Sequence, residues 1–215
     1  MRDPRPPVQA LIFDFNGTLS DDEPVLCELF CELFAERGRP LTPEQYYEQL
    51  AGLSDPEIVE RWLGHDDPDL VEELLRRYLE RAGDGSTVHE DVREAVHYAA
   101  ERTRLAIVSG ALRVEVERVV AGAGLAGLFE VIVAAEDTEH GKPDPAGYLL
   151  ALEQLALAPA DAVAFEDSED GVIAAKAAGL YCVALLGTAT PDHLARADEV
   201  DAELNTALIE QLLAS

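Results

Sequence analysis

The chain has 215 residues, of which 48% are hydrophobic and 27% are charged, and its formal net charge is −27. This composition is typical of a folded globular protein with a substantial buried core, and it excludes an intrinsically disordered chain. Because the negative field repels phosphate backbones and anionic lipid surfaces, we expect neither nucleic acid nor a membrane as a partner.

The sequence predicts a cytoplasmic protein. No apolar run approaches the roughly 20 residues that span a bilayer, and the N-terminal segment lacks the apolar region of a signal peptide. The three cysteines, Cys27, Cys31 and Cys182, show no disulfide-framework spacing, which favours reduced thiols.

Short apolar runs of strand length recur along the chain. They cover residues 8–15, 104–110, 129–135, 161–167 and 181–187. Their nearly continuous apolar character indicates strands that are buried on both faces, as in parallel sheets. Helical patterns at 113–124, 145–157 and 171–180 lie between them. Strands that alternate with helices predict right-handed crossovers and a three-layer α/β sandwich.

The segment after the first strand has a different pattern. From Asp22 to about Ser86 the sequence predicts helices without strands, separated by Gly, Pro and Asp; these helical stretches cover 25–38, 42–52, 55–64 and 68–83. We therefore predict two parts. The α/β core comprises residues 1–21 and 87–215, and an inserted all-helical cap domain comprises residues 22–86.

Polar side chains follow most of the predicted strands at the point where each strand ends. In open α/β sheets the carboxyl ends of the strands form the ligand crevice, near the point where the strand order reverses. We therefore expect one crevice to contain Asp14 after the first strand, Ser109 and Gly110 after the second, Lys142 beyond the third, and Glu166 and Asp167 after the fourth.

The chemistry of these side chains predicts a site for a metal and a phosphate group. Asp14, Glu166 and Asp167 would repel one another without a cation, and hard carboxylate oxygens favour Mg²⁺. The hydroxyl of Ser109 and backbone N–H groups at a helix start can hold phosphate oxygens, and Lys142 adds a positive charge. A bound cation and this lysine would allow an anionic substrate to approach an anionic nucleophile.

Four motifs in this order, "DFNGTLSDDE", "VSG", "GKPDP" and "FEDSEDG", resemble those of the haloacid dehalogenase (HAD) superfamily of phosphohydrolases. The helical insert after the first motif resembles the small cap of the phosphoglycolate phosphatase and β-phosphoglucomutase branch. The resemblance covers nearly the whole chain. It implies a Rossmann-like parallel-sheet core with a helical cap, and a Mg²⁺-dependent phosphatase that acts on a small phosphorylated metabolite.

The resemblance also implies roles for the residues that would meet the phosphate. Asp14 matches the nucleophile that forms an aspartyl-phosphate, a covalent carboxylate intermediate. Ser109 and Lys142 match the phosphate-binding residues, with Gly110 beside the serine. Gly17 would let the chain turn away from the strand and bring its backbone close to the phosphate.

The metal ligands are implied in the same way. Asp167 matches a direct Mg²⁺ ligand, Glu166 supports the metal from the neighbouring position, and Asp14 contributes its carboxylate. Asn16 matches the position that lends its backbone carbonyl to the metal. The resemblance therefore implies a Mg²⁺ site formed by the first and fourth motifs.

Position 16 departs from the family pattern. The family's phosphatases carry a second Asp there, which protonates the leaving alcohol and then activates water. An amide cannot shuttle a proton, and losing a positioned acid–base group typically costs about 10²- to 10⁴-fold in rate. Asn16 therefore favours substrates with good leaving groups, such as acyl or aryl phosphates. The alternative from another class is a catalytically weak protein that binds a phosphometabolite.

A sugar-phosphate mutase and a phospho-acceptor receiver domain fit the sequence less well. A mutase of this branch carries a His at the cap entry and a phosphate-gripping Arg in the cap, where this chain has Leu26 and Asp55. The last residue of the "KPDPA" motif is Ala146 instead of the family's Asp. A receiver domain also uses a strand-end Asp, Mg²⁺, a hydroxyl and a Lys, but its acceptor lies mid-chain and no helical cap follows. The sequence does not predict the oligomeric state.

Overall fold

A computed structural model describes residues 7–51, 53–187 and 190–214. Within these ranges, the strands form one parallel sheet in the order β3-β2-β1-β4-β5-β6. The strands are β1 (Ala10–Phe13), β2 (Arg104–Val108), β3 (Val131–Val133), β4 (Ala162–Glu166), β5 (Tyr181–Leu185) and β6 (Glu199–Asp201). No helix in the described ranges is long and apolar enough to cross a membrane.

The described part of the chain contains nine α-helices. They are α1 (Glu23–Glu36), α2 (Pro43–Gln49), α3 (Asp55–Leu63), α4 (Pro68–Ala82), α5 (Glu90–Ala100), α6 (Arg113–Gly122), α7 (Ala146–Leu155), α8 (Glu169–Ala177) and α9 (Thr206–Leu213). Short 3-10 turns at Ala135–Asp137 and Pro159–Asp161 lead into α7 and β4. From β2 to β5 strands and α-helices alternate, as the sequence predicts.

The residues of β1 alternate between the two faces of the sheet. Leu11 and Phe13 belong to one buried cluster with α5, α6 and α9, whereas Ala10 and Ile12 belong to another with α7 and α8. Phe13 stacks on Phe165 of β4, with ring centroids 4.9 Å apart. Each such large apolar side chain contributes about 1.5–3 kcal/mol when it is fully buried. Helices on both faces supply that burial, which confirms the predicted three-layer α/β fold.

Four helices, α1 to α4, separate β1 from α5. Each begins with a proline at its first or second position, where the missing N–H of proline leaves no intrahelical bond unmade. Phe30 and Phe34 of α1 contact Tyr46 of α2 and Trp62 of α3, with ring centroids 5.9 and 6.2 Å apart respectively. These aromatic contacts hold the first three inserted helices together.

The chain enters and leaves this helical segment at adjacent points. The hydroxyl oxygens of Ser20 and Thr87 lie 2.7 Å apart, and both residues are buried. The N–H of Asp21 donates to the carbonyl of Thr87 at 2.9 Å. Two polar contacts therefore join the outgoing and returning chains.

The structure corrects several predicted boundaries and adds elements that were not predicted. The predicted strands at 8–15 and 129–135 shorten to Ala10–Phe13 and Val131–Val133. The sixth strand, β6, and helices α5 and α9 were not predicted. The division into a core (1–21 and 87–215) and a cap (22–86) remains a prediction, and its residues 1–6, 52, 188–189 and 215 lie outside the described residues.

Candidate functional site

Strand β1 places Asp14 where the strand order reverses. Because β1 pairs with β2 on one side and with β4 on the other, its carboxyl end lies at the topological switch point, where open α/β sheets bind ligands. The N–H of Asp14 donates to the carbonyl of Phe165 at 2.9 Å and continues the pairing beyond the strand. Since Asp14 is only 7% exposed, its carboxylate requires nearby positive charge or hydrogen-bond donors.

Lys142 supplies positive charge to this end of the sheet. Its Nζ lies 2.5 Å from Oδ1 of Asp14 and 2.6 Å from Oε1 of Glu166, and it donates to the carbonyl of Val108 at 3.1 Å. Burial alone would lower the pKa of this ammonium, but the charges of Asp14 and Glu166 outweigh that effect and raise the pKa. Lys142 therefore remains charged between the two carboxylates.

Glu166 is fully enclosed by protein groups. The hydroxyl of Tyr148 on α7 donates to its Oε1 at 2.5 Å. Burial raises the pKa of Glu166, whereas the charge of Lys142 opposes that rise. Gly171, in the first turn of α8, leaves the space that the carboxylate occupies, because a Cβ there would lie 1.9 Å from Oε2. The end of β4 is therefore shaped around this side chain.

Gly17 brings the loop after β1 against Asp167. Its φ of 79° lies in the left-handed region, and its N–H donates to the carbonyl of Ser20 at 2.7 Å. A Cβ at this position would lie 2.1 Å from Oδ2 of Asp167. The close approach of backbone to carboxylate therefore requires glycine for two reasons, its φ angle and its missing side chain.

The structure brings the three predicted acidic residues together. One carboxylate oxygen from each of Asp14, Glu166 and Asp167 lies within 4.8 Å of the others, and all three residues are buried. Oδ2 of Asp14 is buried without a hydrogen-bond partner among the described residues. Closely spaced buried carboxylate oxygens, one of them lacking a donor, fit a hard divalent cation.

Ser109 and Gly110 lie beside this cluster, at the end of β2. The Oγ of Ser109 accepts a hydrogen bond from the N–H of Ala111 at 3.0 Å and lies 3.4 Å from Oδ1 of Asn16. Gly110 is exposed, and no atom lies within 4 Å of the place where a Cβ would stand. The loop after β2 therefore leaves room for a ligand close to Ser109, while the phosphate-binding role of both residues remains a prediction.

The side chain of Asn16 spans the space between Ser109 and Asp22. Its Nδ2 donates to Oδ2 of Asp22 at 2.9 Å, and the hydroxyl of Tyr78 on α4 donates to the same oxygen. Burial raises the pKa of Asp22 to about 7, although these two hydrogen bonds lower it. The carboxylate of Asp22 therefore accepts a hydrogen bond from the side chain at position 16, which is itself an amide and not a carboxylate.

Sequence reasoning missed the residues that hold the predicted ones in place. Tyr148, Asp22 and Tyr78 were not named as site residues. Tyr148 donates to Glu166, Asp22 accepts from Asn16, and Tyr78 donates to Asp22. Asp22 could have been noticed because it lies within the first motif, in the run "SDDE". The partners of the two tyrosines depend on helix packing, and no spacing in the sequence indicates them.

Comparison with known proteins identifies the family. The family model described as haloacid dehalogenase-like hydrolase matches residues 11–185, which is most of the chain. The chain therefore belongs to the haloacid dehalogenase-like hydrolases. Among solved structures, CbbY from Rhodobacter sphaeroides in complex with phosphate is similar, with a TM-score of 0.82 and 29% identity over 92% of this chain and 95% of that chain.

Curated relatives narrow the class further. The chain is 30% identical to validoxylamine A 7'-phosphate phosphatase of Streptomyces hygroscopicus subsp. limoneus, over 88% of this chain and 91% of that protein. It is 32% identical to the phosphorylated carbohydrates phosphatase of Thermotoga maritima, over 80% of this chain and 82% of that protein. Within its family, the chain is a HAD-like phosphatase.

Proposed function

We propose that this phosphatase depends on Mg²⁺ and removes the phosphoryl group from a small phosphorylated carbohydrate or a similar metabolite through an aspartyl-phosphate on Asp14. The observation that carries the proposal is the position of Asp14. It lies at the switch point of the sheet, with Lys142 against one oxygen and no hydrogen-bond partner for the other among the described residues. The names of the two curated relatives, both phosphatases of carbohydrate-like compounds, support the substrate class.

The side chains of this site suit in-line phosphoryl transfer. An oxygen of Asp14 attacks phosphorus, and the bond from phosphorus to the leaving oxygen breaks. Lys142 and the hydroxyl of Ser109 stabilise the charge on the equatorial oxygens of the transferring group. Since Lys142 already bridges Asp14 and Glu166, it is fixed before the substrate arrives. A fixed charge needs little reorganisation during the reaction.

The proposed metal ligands are the carboxylates of Asp14 and Asp167 and the backbone carbonyl of Asn16, with Glu166 behind them. The distances within the acidic cluster and the hard character of its oxygens fit Mg²⁺. When bound, Mg²⁺ supplies charge neutralisation for the oxygens of the transferring phosphoryl group. Tyr148 and Lys142 already bind Oε1 of Glu166. We therefore assign Glu166 the role of supporting the metal site from behind the direct ligands.

Asn16 sets the expected order of substrates. Its amide carries no proton that could be transferred to a departing alkoxide. Leaving groups that need little protonation, such as those of aryl and acyl phosphates, should therefore leave faster than the alkoxides of ordinary sugar phosphates. We expect alkyl phosphates to be slower by roughly the 10²- to 10⁴-fold that a positioned acid contributes.

The helical insert favours a substrate with one phosphate group. At the position where the resemblance implies a phosphate-gripping Arg in a mutase of this branch, the insert has Asp55, at the start of α3. Burial, followed by the charge of Glu23, raises the pKa of Asp55 to about 6. A second phosphate group would there meet the acidic side chain of Asp55. This arrangement, together with Leu26 at the start of the insert, argues against a sugar-phosphate mutase.

A second candidate function is binding of a phosphometabolite without turnover. The observation in its favour is the amide at position 16, which is already hydrogen-bonded to Asp22. The two candidates predict different behaviour toward the same compounds. A binding protein would retain a phosphorylated ligand unchanged, whereas a phosphatase would release inorganic phosphate.

The test is phosphate release from matched aryl, acyl and alkyl phosphates, including hexose and hexitol phosphates, with Mg²⁺ or with a chelator. Asp14→Asn is the control, since it removes the nucleophile and keeps the side-chain shape. We expect turnover that requires Mg²⁺ and Asp14 and is fastest on aryl and acyl phosphates. A rate above ~1 s⁻¹, in the ordinary range of enzymes, would exclude the binding protein. Equally fast turnover of alkyl and aryl phosphates would contradict the argument from Asn16.

A further inference from the structure

One buried carboxylate determines how the Asn16 side chain is oriented. Asp22 has no exposed surface, and as the N-cap residue of α1 it makes no side-chain cap to that helix. Its Oδ2 instead accepts from Nδ2 of Asn16 and from the hydroxyl of Tyr78. An oxygen that accepts from both must meet the NH₂ end of the amide and not its oxygen. The contact therefore fixes which end of Asn16 faces away from Asp22.

The other end of the amide faces the loop after β2. Oδ1 of Asn16 lies 3.4 Å from Oγ of Ser109. Building on the proposed function, we propose that Asp22 is a positioning residue that holds Nδ2 of Asn16, so that Oδ1 orients the water which attacks the aspartyl-phosphate. The amide oxygen accepts a hydrogen bond from this water and takes no proton from it.

The proposed step balances without a side-chain base. The water oxygen forms a bond to phosphorus while the bond between phosphorus and the Asp14 oxygen breaks. The electron pair of the broken bond returns to Asp14 and regenerates its carboxylate. Both protons of the water leave on the product as dihydrogen phosphate. An amide can therefore serve this half of the reaction, although it cannot protonate the alkoxide in the first half.

Asn16 and Asp22 consequently form a matched pair of donor and acceptor. Asn16→Asp alone would place a second carboxylate against Asp22, where 2.9 Å now separates Nδ2 from Oδ2. Like charges this close repel, and the new side chain would rotate or would share a proton with Asp22. Asn16→Asp combined with Asp22→Asn exchanges donor and acceptor, keeps the hydrogen bond, and brings a carboxylate to position 16.

The same contact should protect Asn16 from deamidation. An Asn-Gly pair deamidates when the glycine nitrogen attacks the side-chain carbonyl carbon. Here the nitrogen of Gly17 donates to the carbonyl of Ser20 at 2.7 Å, while the amide is held by Asp22. Loss of the Asp22 acceptor should therefore speed deamidation, and this effect can be measured without any substrate.

The experiment compares wild type, Asp22→Ala, Asp22→Asn, Asn16→Asp and the exchange variant with Mg²⁺ and an aryl phosphate. Asp22→Ala should slow hydrolysis of the aspartyl-phosphate and so lower kcat by up to about 10²-fold, the typical cost of a misplaced reacting group. KM should fall with kcat, while kcat/KM, which reports formation of the aspartyl-phosphate, changes little. Asp22→Asn keeps an acceptor oxygen and should recover most of kcat. On alkyl phosphates, the exchange variant should exceed Asn16→Asp by at least about 10-fold, within the range that a positioned acid contributes.

Deamidation of Asn16, followed by intact mass at neutral pH, provides a second measurement. We expect it to be faster in folded Asp22→Ala than in wild type or Asp22→Asn. An unchanged kcat in folded Asp22→Ala would overturn the inference, and so would equal alkyl-phosphate rates for Asn16→Asp and the exchange variant. If Asp22→Ala does not fold, the alkyl-phosphate rates of Asn16→Asp and the exchange variant, which are nearly isosteric with wild type, decide whether the inference holds. If wild type releases no phosphate at all, the proposed function fails, whereas the deamidation rates of wild type and Asp22→Ala still test the contact, since equal rates in these two folded proteins would overturn it.

Discussion

Lys142→Met should destabilise the protein far more than removal of an ordinary lysine. The change removes the charge that Asp14 and Glu166 share at 2.5 and 2.6 Å and leaves two buried carboxylates without it. Breaking a buried ion pair by deleting one partner costs about 3–5 kcal/mol. For a protein of this size, 1 kcal/mol corresponds to about 2–4 °C in Tm, so we expect a decrease of about 6–20 °C.

Lys176→Met is the matched control. Nζ of Lys176 also forms a 2.5 Å ion pair, with Asp198, but both side chains are about one-third exposed, at 32% and 28%. Exposed pairs contribute only about 0–1 kcal/mol. Differential scanning calorimetry in a chelator should therefore separate the two variants clearly. A similar decrease in Tm for both would refute the role of Lys142 in compensating the buried carboxylates.

Mg²⁺ should recover part of the stability lost in Lys142→Met. A ligand that binds only the folded protein stabilises it by about 2.7 kcal/mol at 100 times its dissociation constant. In this variant the cation would also restore positive charge beside Asp14. We expect a larger Mg²⁺-induced rise in Tm for Lys142→Met than for Lys176→Met. A rise in neither variant would contradict the proposed metal site.

Three further outcomes are expected. Burial, followed by the charge of Asp55, raises the pKa of Glu115 from 4.5 to about 8, so the folded state binds this proton more tightly and the free energy of unfolding falls as pH rises between these values. The free energy of unfolding of Glu115→Gln should therefore increase relative to that of wild type from about pH 5 to about pH 8, by at most ~1.4 kcal/mol per pH unit. Tm measured across this range checks the prediction, and a Tm difference between the two proteins that does not change with pH would contradict it. Asp167→Asn should reduce the Mg²⁺-induced rise in Tm more than Glu166→Gln, and the reverse order would exchange their assigned roles. Gly17→Ala should lower both Tm and Mg²⁺ affinity, because its Cβ would lie 2.1 Å from Oδ2 of Asp167, and wild-type behaviour would contradict that close contact.

The apolar runs in the sequence predicted most of the sheet, because strands β1 to β5 are buried on both faces. The sixth strand, β6, was missed because it has only three residues, Glu199–Asp201, and lies at the edge of the sheet with Val200 42% exposed. Such a strand carries no continuous apolar run. Helix α5 has a clear apolar stripe, with Ala95, Val96 and Ala99 buried, so its periodicity was sufficient to predict it and no physical reason explains the omission.

The candidate site was predictable where chemistry and strand ends coincide. Asp14, Ser109, Glu166 and Asp167 each lie at the end of a strand, so the topology alone brings them together. Tyr148 could not be predicted as a site residue, because its sequence position is that of an ordinary buried core residue of a helix. Only the structure shows that its hydroxyl donates to Glu166. Contacts made across separate elements depend on helix packing, which residue spacing does not specify.

The contact between Ser20 and Thr87 bears on how this protein could be re-engineered. Because the outgoing and returning chains meet there, a segment of any length with adjacent ends could replace α1 to α4 without stretching the sheet. Substrate preference could then be exchanged by grafting the helices of a relative between these two residues. Such a chimera would keep Asp14 and Lys142 but lose both Asp22 and the hydroxyl of Tyr78. A graft intended to preserve the chemistry should therefore retain Asp22 ahead of its first helix and carry a hydrogen-bond donor to it on its last helix.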